Sequence, residues 1–203
     1  MKLILASASP RRAEIMRNAG FTFDIQPPNV DETLLPNENA EAYVRRVSSA
    51  KANAVAQINL NEGTPAIVIA ADTVVLAGRQ ILPKPKDAED ARRMLRLLSA
   101  ATHEVLTGLS VIRAYDGISF ERLERTRVEF TRLSETDIDA YIQTKEPFDK
   151  AGAYGIQGIG GRFVCRIEGC YFNVMGLPLA RLWEILREMR WDDLNAMSNS
   201  ASK

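Results

Sequence analysis

Arg11 and Arg12 follow directly on the small-residue turn Ser7-Ala8-Ser9-Pro10, where an apolar strand signal gives way to a helix. A helix start carries free N–H groups and partial positive charge, so two cations in its first turn oppose the local field. A phosphate bound there would reverse that penalty, because the N–H groups attract it and guanidinium pairs with it bidentately. The alternative is two side chains reaching into water. Asp72-Thr73 interrupts the apolar strand signal that begins with Ala66-Ile67-Val68-Ile69-Ala70-Ala71. A carboxylate there is expected to be partly buried and to need a cation or a proton. General-base work or metal coordination would explain it, and so would an ordinary hydrogen-bonded loop aspartate. Two lysines also sit in awkward places. Lys51 interrupts an apolar helical stripe between Val47 and Val55, and Lys84 is stiffened between Pro83 and Pro85. A lysine on a stiff segment suits a phosphate, although each could equally be solvated. The fourth unusual stretch is Asp149-Lys150-Ala151-Gly152-Ala153-Tyr154-Gly155-Ile156-Gln157-Gly158, whose glycines permit close backbone approach to a ligand or simply tight turns.

Other chemistries are excluded by what the chain lacks. Its single histidine, His103, rules out metal sites needing two, and its two cysteines, Cys165 and Cys170, cannot build a disulfide framework or a four-cysteine zinc site. No Gly-Lys dipeptide occurs, hence no Walker A loop, and no GxGxxG is present. Any phosphate site must therefore use arginines, lysines and a metal on carboxylates. Lys plus Arg equals Asp plus Glu at 26 each, so strong nucleic-acid binding by bulk charge is not expected. The longest apolar run, Ala66 to Ala71, falls far short of the ~18 residues of a membrane span. No targeting signal is visible, and the expectation is a soluble cytoplasmic protein.

These residues need elements to hold them, and 203 residues suffice for one domain with a sizeable core. Strand signals cover Leu3 to Ala6, Phe21 to Gln26 and Ala66 to Leu76. Helix signals cover Arg11 to Ala19, Ala40 to Leu60 (Val44, Val47, Val55 and Ile58 on one face) and Asp87 to Ser99 (Met94, Leu95 and Leu98 inward). Asn29 to Asn37 is a polar loop carrying Asp31 and Glu32. Glu104 to Tyr115 and Ile118 to Leu133 form a hairpin about Asp116-Gly117. Ser134 caps a helix reaching Thr144, and a glycine-rich stretch runs from Gly152 to Gly176. Pro178 opens a last helix with Leu179, Leu182, Trp183, Leu186 and Met189 on its apolar side. A frayed tail is expected over 192–203. The pattern predicts an α/β fold with a mixed sheet.

Together these stretches resemble the Maf family of nucleoside triphosphate pyrophosphatases. The matching pieces are Ser7-Ala8-Ser9-Pro10-Arg11-Arg12, the Asp31-Glu32 loop, Lys51, Ala71-Asp72-Thr73-Val74-Val75, Lys84-Pro85, Asp149 to Gly158, and Asn173-Val174-Met175-Gly176-Leu177-Pro178. They stand in the family's order from residue 3 to about 190. Departures are small: Leu82-Pro83 stands where a glycine is usual, and Cys170 where serine is frequent.

The resemblance implies one domain over 1–191, with an elongated mixed sheet flanked by helices, two lobes and a central cleft, similar to inosine triphosphate pyrophosphatases. It implies hydrolysis of a nucleoside triphosphate to monophosphate and pyrophosphate, a house-cleaning activity, and a homodimer. Asp72, Lys84 and Lys51 would be catalytic. Ser9, Arg11, Arg12, Thr73 and Gln157 would bind substrate, while Glu32 and Asp72 would hold a divalent metal (Mg²⁺, Mn²⁺ or Co²⁺). The Ala153 to Gly158 segment resembles the subgroup acting on dTTP and UTP. The alternatives are 7-methyl-GTP hydrolysis and a nucleotide-binding regulator of septum formation. A primary amide can pair with the imide edge of uracil or thymine through a donor and an acceptor, which gives Gln157 a role, unless it only braces its own loop.

Overall fold

The computed structural model of the protein describes residues 1–191, so the tail expected over 192–203 lies outside the described residues. The strands are β1 (Lys2–Leu5), β2 (Asp24–Ile25), β3 (Ala66–Ala77), β4 (Gln80–Leu82), β5 (Thr102–Arg113), β6 (Ser119–Phe130) and β7 (Val164–Glu168). The helices are α1 (Pro10–Asn18), α2 (Ala40–Asn61), α3 (Ala88–Leu98), α4 (Glu135–Gln143), α5 (Tyr171–Val174) and α6 (Leu179–Glu188). The strands join in the order β2-β1-β3-β5-β6-β7, with β4 paired to β3. β1 runs parallel to β2 and β3, while β4 on β3 and β7 on β6 are antiparallel, so the sheet is mixed. The fold class is the α/β architecture expected.

The described residues form two compact units. The first holds Met1–Asp72, Gly108–Glu124 and the chain from Gly176; the second holds Thr73–Thr107 and Arg125–Met175. In the first, Leu3, Ile4 and Leu5 are all buried, as are Ala66 to Ala71. Such continuous apolar runs mark strands covered on both faces. The α2 face of Ala52, Val55 and Ala56 packs with Ile4, Val68, Ala70 and Ile112. How near α2 comes to β5 is decided at Gly108, where a Cβ would lie 2.3 Å from the Val44 carbonyl oxygen. Any other residue there would push away the helix that carries Lys51.

In the second unit α3 and α4 supply Ala91, Met94, Leu95, Leu98, Ile138, Tyr141 and Ile142 to a core shared with Phe130, Tyr154 and Phe163. Asp87 and Ser134 cap these helices as their positions predict. The single histidine is part of this core. His103 Nε2 lies 2.8 Å from the Tyr154 hydroxyl, and its ring meets Phe130 edge-on at 4.9 Å. Its Nδ1 has no partner, and burial lowers the pKa to about 4. The unfolded chain therefore binds a proton between about pH 6.5 and 4 that the native state refuses, so stability falls as pH falls through that window. Summed over the window the loss is about 3 kcal/mol. Denaturant titrations at pH 7 and pH 4.5 check this: His103→Gln keeps a hydrogen-bonding group beside Tyr154 and should flatten the slope. An equal slope in both proteins would refute the assignment.

Several expectations change. Of Phe21 to Gln26 only Asp24–Ile25 forms a strand, paired with Ile4 and Leu5, and the Gln26 N–H still donates to the Leu5 carbonyl at 3.0 Å. Asp72-Thr73 does not interrupt its strand: β3 continues to Ala77, since both residues satisfy their side chains without leaving the ladder. Ile58 is 44% exposed and Trp183 41% exposed, although both fall on apolar helical stripes. Trp183 instead stacks obliquely beside Phe21, with ring centroids 6.3 Å apart. β7 and α5 are short elements within the stretch read as glycine-rich loop, and β4 lies between the β3 and α3 signals, where no element was expected. Among the described residues, no helix is long and apolar enough to cross a membrane.

Candidate active site

The first unit gathers three of the expected residues at one buried ammonium. Lys51, on the buried face of α2, is 6% exposed, and its Nζ donates to Asp72 Oδ1 at 2.8 Å. The same nitrogen lies 2.9 Å from Glu32 Oε2. The reading of Lys51 as a solvated lysine therefore fails: the break in the apolar stripe is where the helix holds a charge against a strand. Asp72 is also 6% exposed. Burial raises its pKa, against the opposing pull of Lys51 and Arg12. Lys51 engages Oδ1, so Oδ2 is the oxygen that can take a proton or bind a cation.

Glu32 comes from the polar loop, and two residues one helical turn apart on α2 tie that loop down. The Tyr43 hydroxyl donates to the Glu32 carbonyl at 2.9 Å. Arg46 donates to the Thr33 carbonyl at 2.9 Å and grips the Glu38 carboxylate at 2.6 and 2.8 Å. The Glu32 side chain stays 52% exposed while one oxygen meets Lys51. Tyr43 is pushed up to about 12 by burial and by the nearby carboxylates of Asp72 and Glu32, so it stays a neutral donor. Tyr43, Arg46 and Glu38 were not found in the sequence. The available signal was the i, i+3 pairing of Tyr43 with Arg46, which is common on any helix.

At the start of α1, Arg12 is buried and Arg11 is half-buried. Arg12 Nε donates to the Gly176 carbonyl at 2.8 Å and Nη1 to Ser7 Oγ at 3.2 Å. Burial lowers its pKa, while Asp72 acts in the opposite sense. The Asn173 to Pro178 stretch thereby gains a structural reason: Gly176 anchors Arg12. Ser9 is the N-cap of α1, but its side chain makes no capping bond. Its backbone N–H donates to Ser7 Oγ at 3.1 Å instead.

Thr73, Lys84 and Gln157 belong to the second unit. Thr73 Oγ1 lies 2.9 Å from Thr107 Oγ1. Lys84 is exposed on a segment fixed by the Gly152 N–H, which donates to the Pro83 carbonyl at 3.2 Å. Gly152 can adopt its φ of +70° there, and a Cβ would strike Val75 at 2.9 Å. Gln157 is exposed. Its loop is organised by Glu146, which the sequence did not disclose.

Both Asp72 and Glu32 turn an oxygen toward the same positive charge, and hard carboxylate oxygens are what a small divalent cation prefers. Among the described residues no group of three or more His, Cys, Asp or Glu side chains is set to hold a metal. Two carboxylates fit the Mg²⁺ pattern in which phosphate oxygens and water complete the shell.

The family model described as Maf-like protein matches residues 2–189. The dTTP/UTP pyrophosphatase of Clostridium perfringens (strain SM101 / Type A) is 49% identical over 187 residues, covering 92% of this chain and 96% of that one. The dTTP/UTP pyrophosphatase of Vibrio cholerae serotype O1 is 48% identical, covering 92% and 97%. A solved nucleoside-triphosphatase / dITP/XTP pyrophosphatase from Mycobacterium abscessus aligns at a TM-score of 0.42 with 14% identity, covering 93% of this chain and 98% of that one. With a family model spanning nearly the whole chain, and relatives close to half identical over nine-tenths of it, the protein belongs to the Maf family.

Proposed function

We propose that the chain is a nucleoside triphosphate pyrophosphatase acting on dTTP and UTP. The observation that carries the reading is the buried Asp72 carboxylate, held through Oδ1 on Lys51. In the reaction water attacks the α-phosphorus: a new O–P bond forms, the bond to the bridging oxygen breaks, and monophosphate and pyrophosphate leave. Asp72 takes the proton of the attacking water on Oδ2. Its raised pKa strengthens it as a base. Lys51 keeps Asp72 charged and oriented. Arg11, Arg12 and Lys84 stabilise the negative charge that builds on the phosphoryl oxygens, and Ser9 and Thr73 contribute hydroxyls to substrate binding. Glu32 and Asp72 would hold a divalent cation, Mg²⁺, Mn²⁺ or Co²⁺, which when bound neutralises charge on the triphosphate.

A panel of nucleotides, scored separately for pyrophosphate and orthophosphate, tests the assignment. Pyrophosphate should appear in equal amount to monophosphate, fastest from dTTP and UTP. A preference for 7-methyl-GTP would move the chain to the other subgroup, and orthophosphate as first product would remove the reaction altogether.

Gln157→Glu tests base reading. It keeps an acceptor, loses the donor and places negative charge near a base carbonyl. Losing a buried partner costs about 1–3 kcal/mol, so kcat/KM for dTTP and UTP should fall roughly ten- to a hundredfold. An equal loss on every nucleotide would show that Gln157 does not read the base.

A further inference from the structure

The glycine-rich loop is wrapped around one carboxylate. Glu146 Oε1 accepts from the Tyr141 hydroxyl at 2.8 Å and from the Gly160 N–H at 3.2 Å, while Oε2 accepts from the Ile159 N–H at 2.8 Å. Tyr141 in turn accepts from the Gly155 N–H at 3.1 Å. Behind the carboxylate, Lys150 Nζ donates to the Glu146 carbonyl at 2.7 Å and the Glu146 N–H donates to Thr144 Oγ1 at 3.2 Å. Three donors thus converge on an acceptor-only group; the segment bearing Gln157 is pinned to it directly at Ile159 and Gly160 and, through the Tyr141 hydroxyl, at Gly155. The fit is also steric. A Cβ on Gly158 would lie 2.4 Å from both Glu146 oxygens, one on Gly160 would lie 2.6 Å from the Tyr141 hydroxyl, and one on Gly155 would strike the Lys150 stem at 2.6 Å. These glycines are required by a bracing side chain on their inner face, while Gln157, between Gly155 and Gly158, is left exposed. Burial opposes the Glu146 charge, but the Ile159, Tyr141 and Gly160 hydrogen bonds outweigh it and lower its pKa, so the acceptor is ionised at neutral pH.

We infer that Glu146 is a positioning residue for base recognition: its carboxylate sets the backbone of Gly155 to Gly160 and so places Gln157 against the pyrimidine. This rests on the reading of Gln157 given above. Glu146→Gln preserves size, but whichever oxygen becomes NH₂ then faces an N–H or O–H donor. KM for dTTP and UTP should rise roughly tenfold, with kcat within about twofold and the preference for pyrimidine over purine nucleotides reduced. Amide hydrogen exchange of Ile159 and Gly160 should quicken at least about tenfold, with α3 and β5 amides unchanged. In Gln157→Ala, adding Glu146→Gln should change KM by less than about twofold, because the two act through one contact. If Glu146→Gln fails to fold, Tyr141→Phe removes one donor to Glu146 together with the acceptor of the Gly155 N–H, and should shift KM and Gly155 exchange in the same direction, by about threefold.

The outcomes separate cleanly. If Gln157→Ala weakens base preference and Glu146→Gln does not, the positioning role is refuted and base reading stands. Should Gln157→Ala leave base preference intact, the reading of Gln157 falls and takes this inference with it. A uniform fall in kcat at unchanged KM for Glu146→Gln would also overturn it.

Discussion

Asp72→Asn should lower kcat for dTTP and UTP hydrolysis roughly 10²–10⁴-fold, the usual loss when a general base is removed. The substitution is close to isosteric, and the Asn carbonyl can still accept from Lys51, so the fold around the 2.8 Å contact should persist. What disappears is the second oxygen's capacity to take a proton. In the native protein burial holds the Asp72 pKa above the ordinary carboxylate range, so activity should be lost as pH falls through that raised value. The acid limb should therefore lie above the pH expected of an exposed aspartate, and Asp72→Asn should lose that limb along with the rate. Steady-state kinetics from pH 4 to 9 measures both. A folded Asp72→Asn protein with near-normal kcat would dismiss the carboxylate as the base.

Lys51→Met should destabilise the protein by about 3 kcal/mol, at the low end of the 3–5 kcal/mol seen when one partner of a buried pair is removed. The low end applies because Asp72 has two ways to relieve its isolation. It can take up a proton, and Arg12 still acts on it electrostatically. Methionine fills much of the lysine stem's volume, so the loss reports the charge more than a cavity. Without its nearest cation Asp72 becomes a weaker acid, and the acid limb of the pH–rate profile should move toward neutrality. Denaturant midpoints and the same pH profile read the two effects. A midpoint matching that of the unmodified protein would mean that the pair contributes no net stability, and an unmoved acid limb would mean that Lys51 does not set the ionisation of Asp72.

Several of the residues proposed to carry the chemistry were legible because they violate a local preference. Lys51 breaks an apolar stripe, Asp72 places a charge in an otherwise apolar strand sequence, and Arg11 and Arg12 oppose a helix dipole. Violations of this kind persist where a site needs them. The helices of the second unit were equally legible, since caps and apolar spacing are local and Asp87 and Ser134 act within three residues of themselves.

What the sequence could not disclose depends on contacts between distant segments. The Arg12 side chain is satisfied by a carbonyl 164 residues away, at Gly176. Whether Lys51 is solvated or buried turns on Gly108 and Val44, which let α2 close onto β5. Trp183 and Ile58 sit on apolar stripes yet remain exposed, because a stripe wider than the surface it faces leaves its margin in water. Composition and periodicity by themselves determined the α/β class and the main helices, while the set of candidate site residues came from the family resemblance. The tertiary structure alone decided which carboxylate meets Lys51, that Glu32 is tied down by Tyr43 and Arg46, and that Glu146 organises the loop of Gln157. Hydrogen bonds across 5 to 164 residues leave no periodic trace, because their partners become neighbours only when the chain has folded.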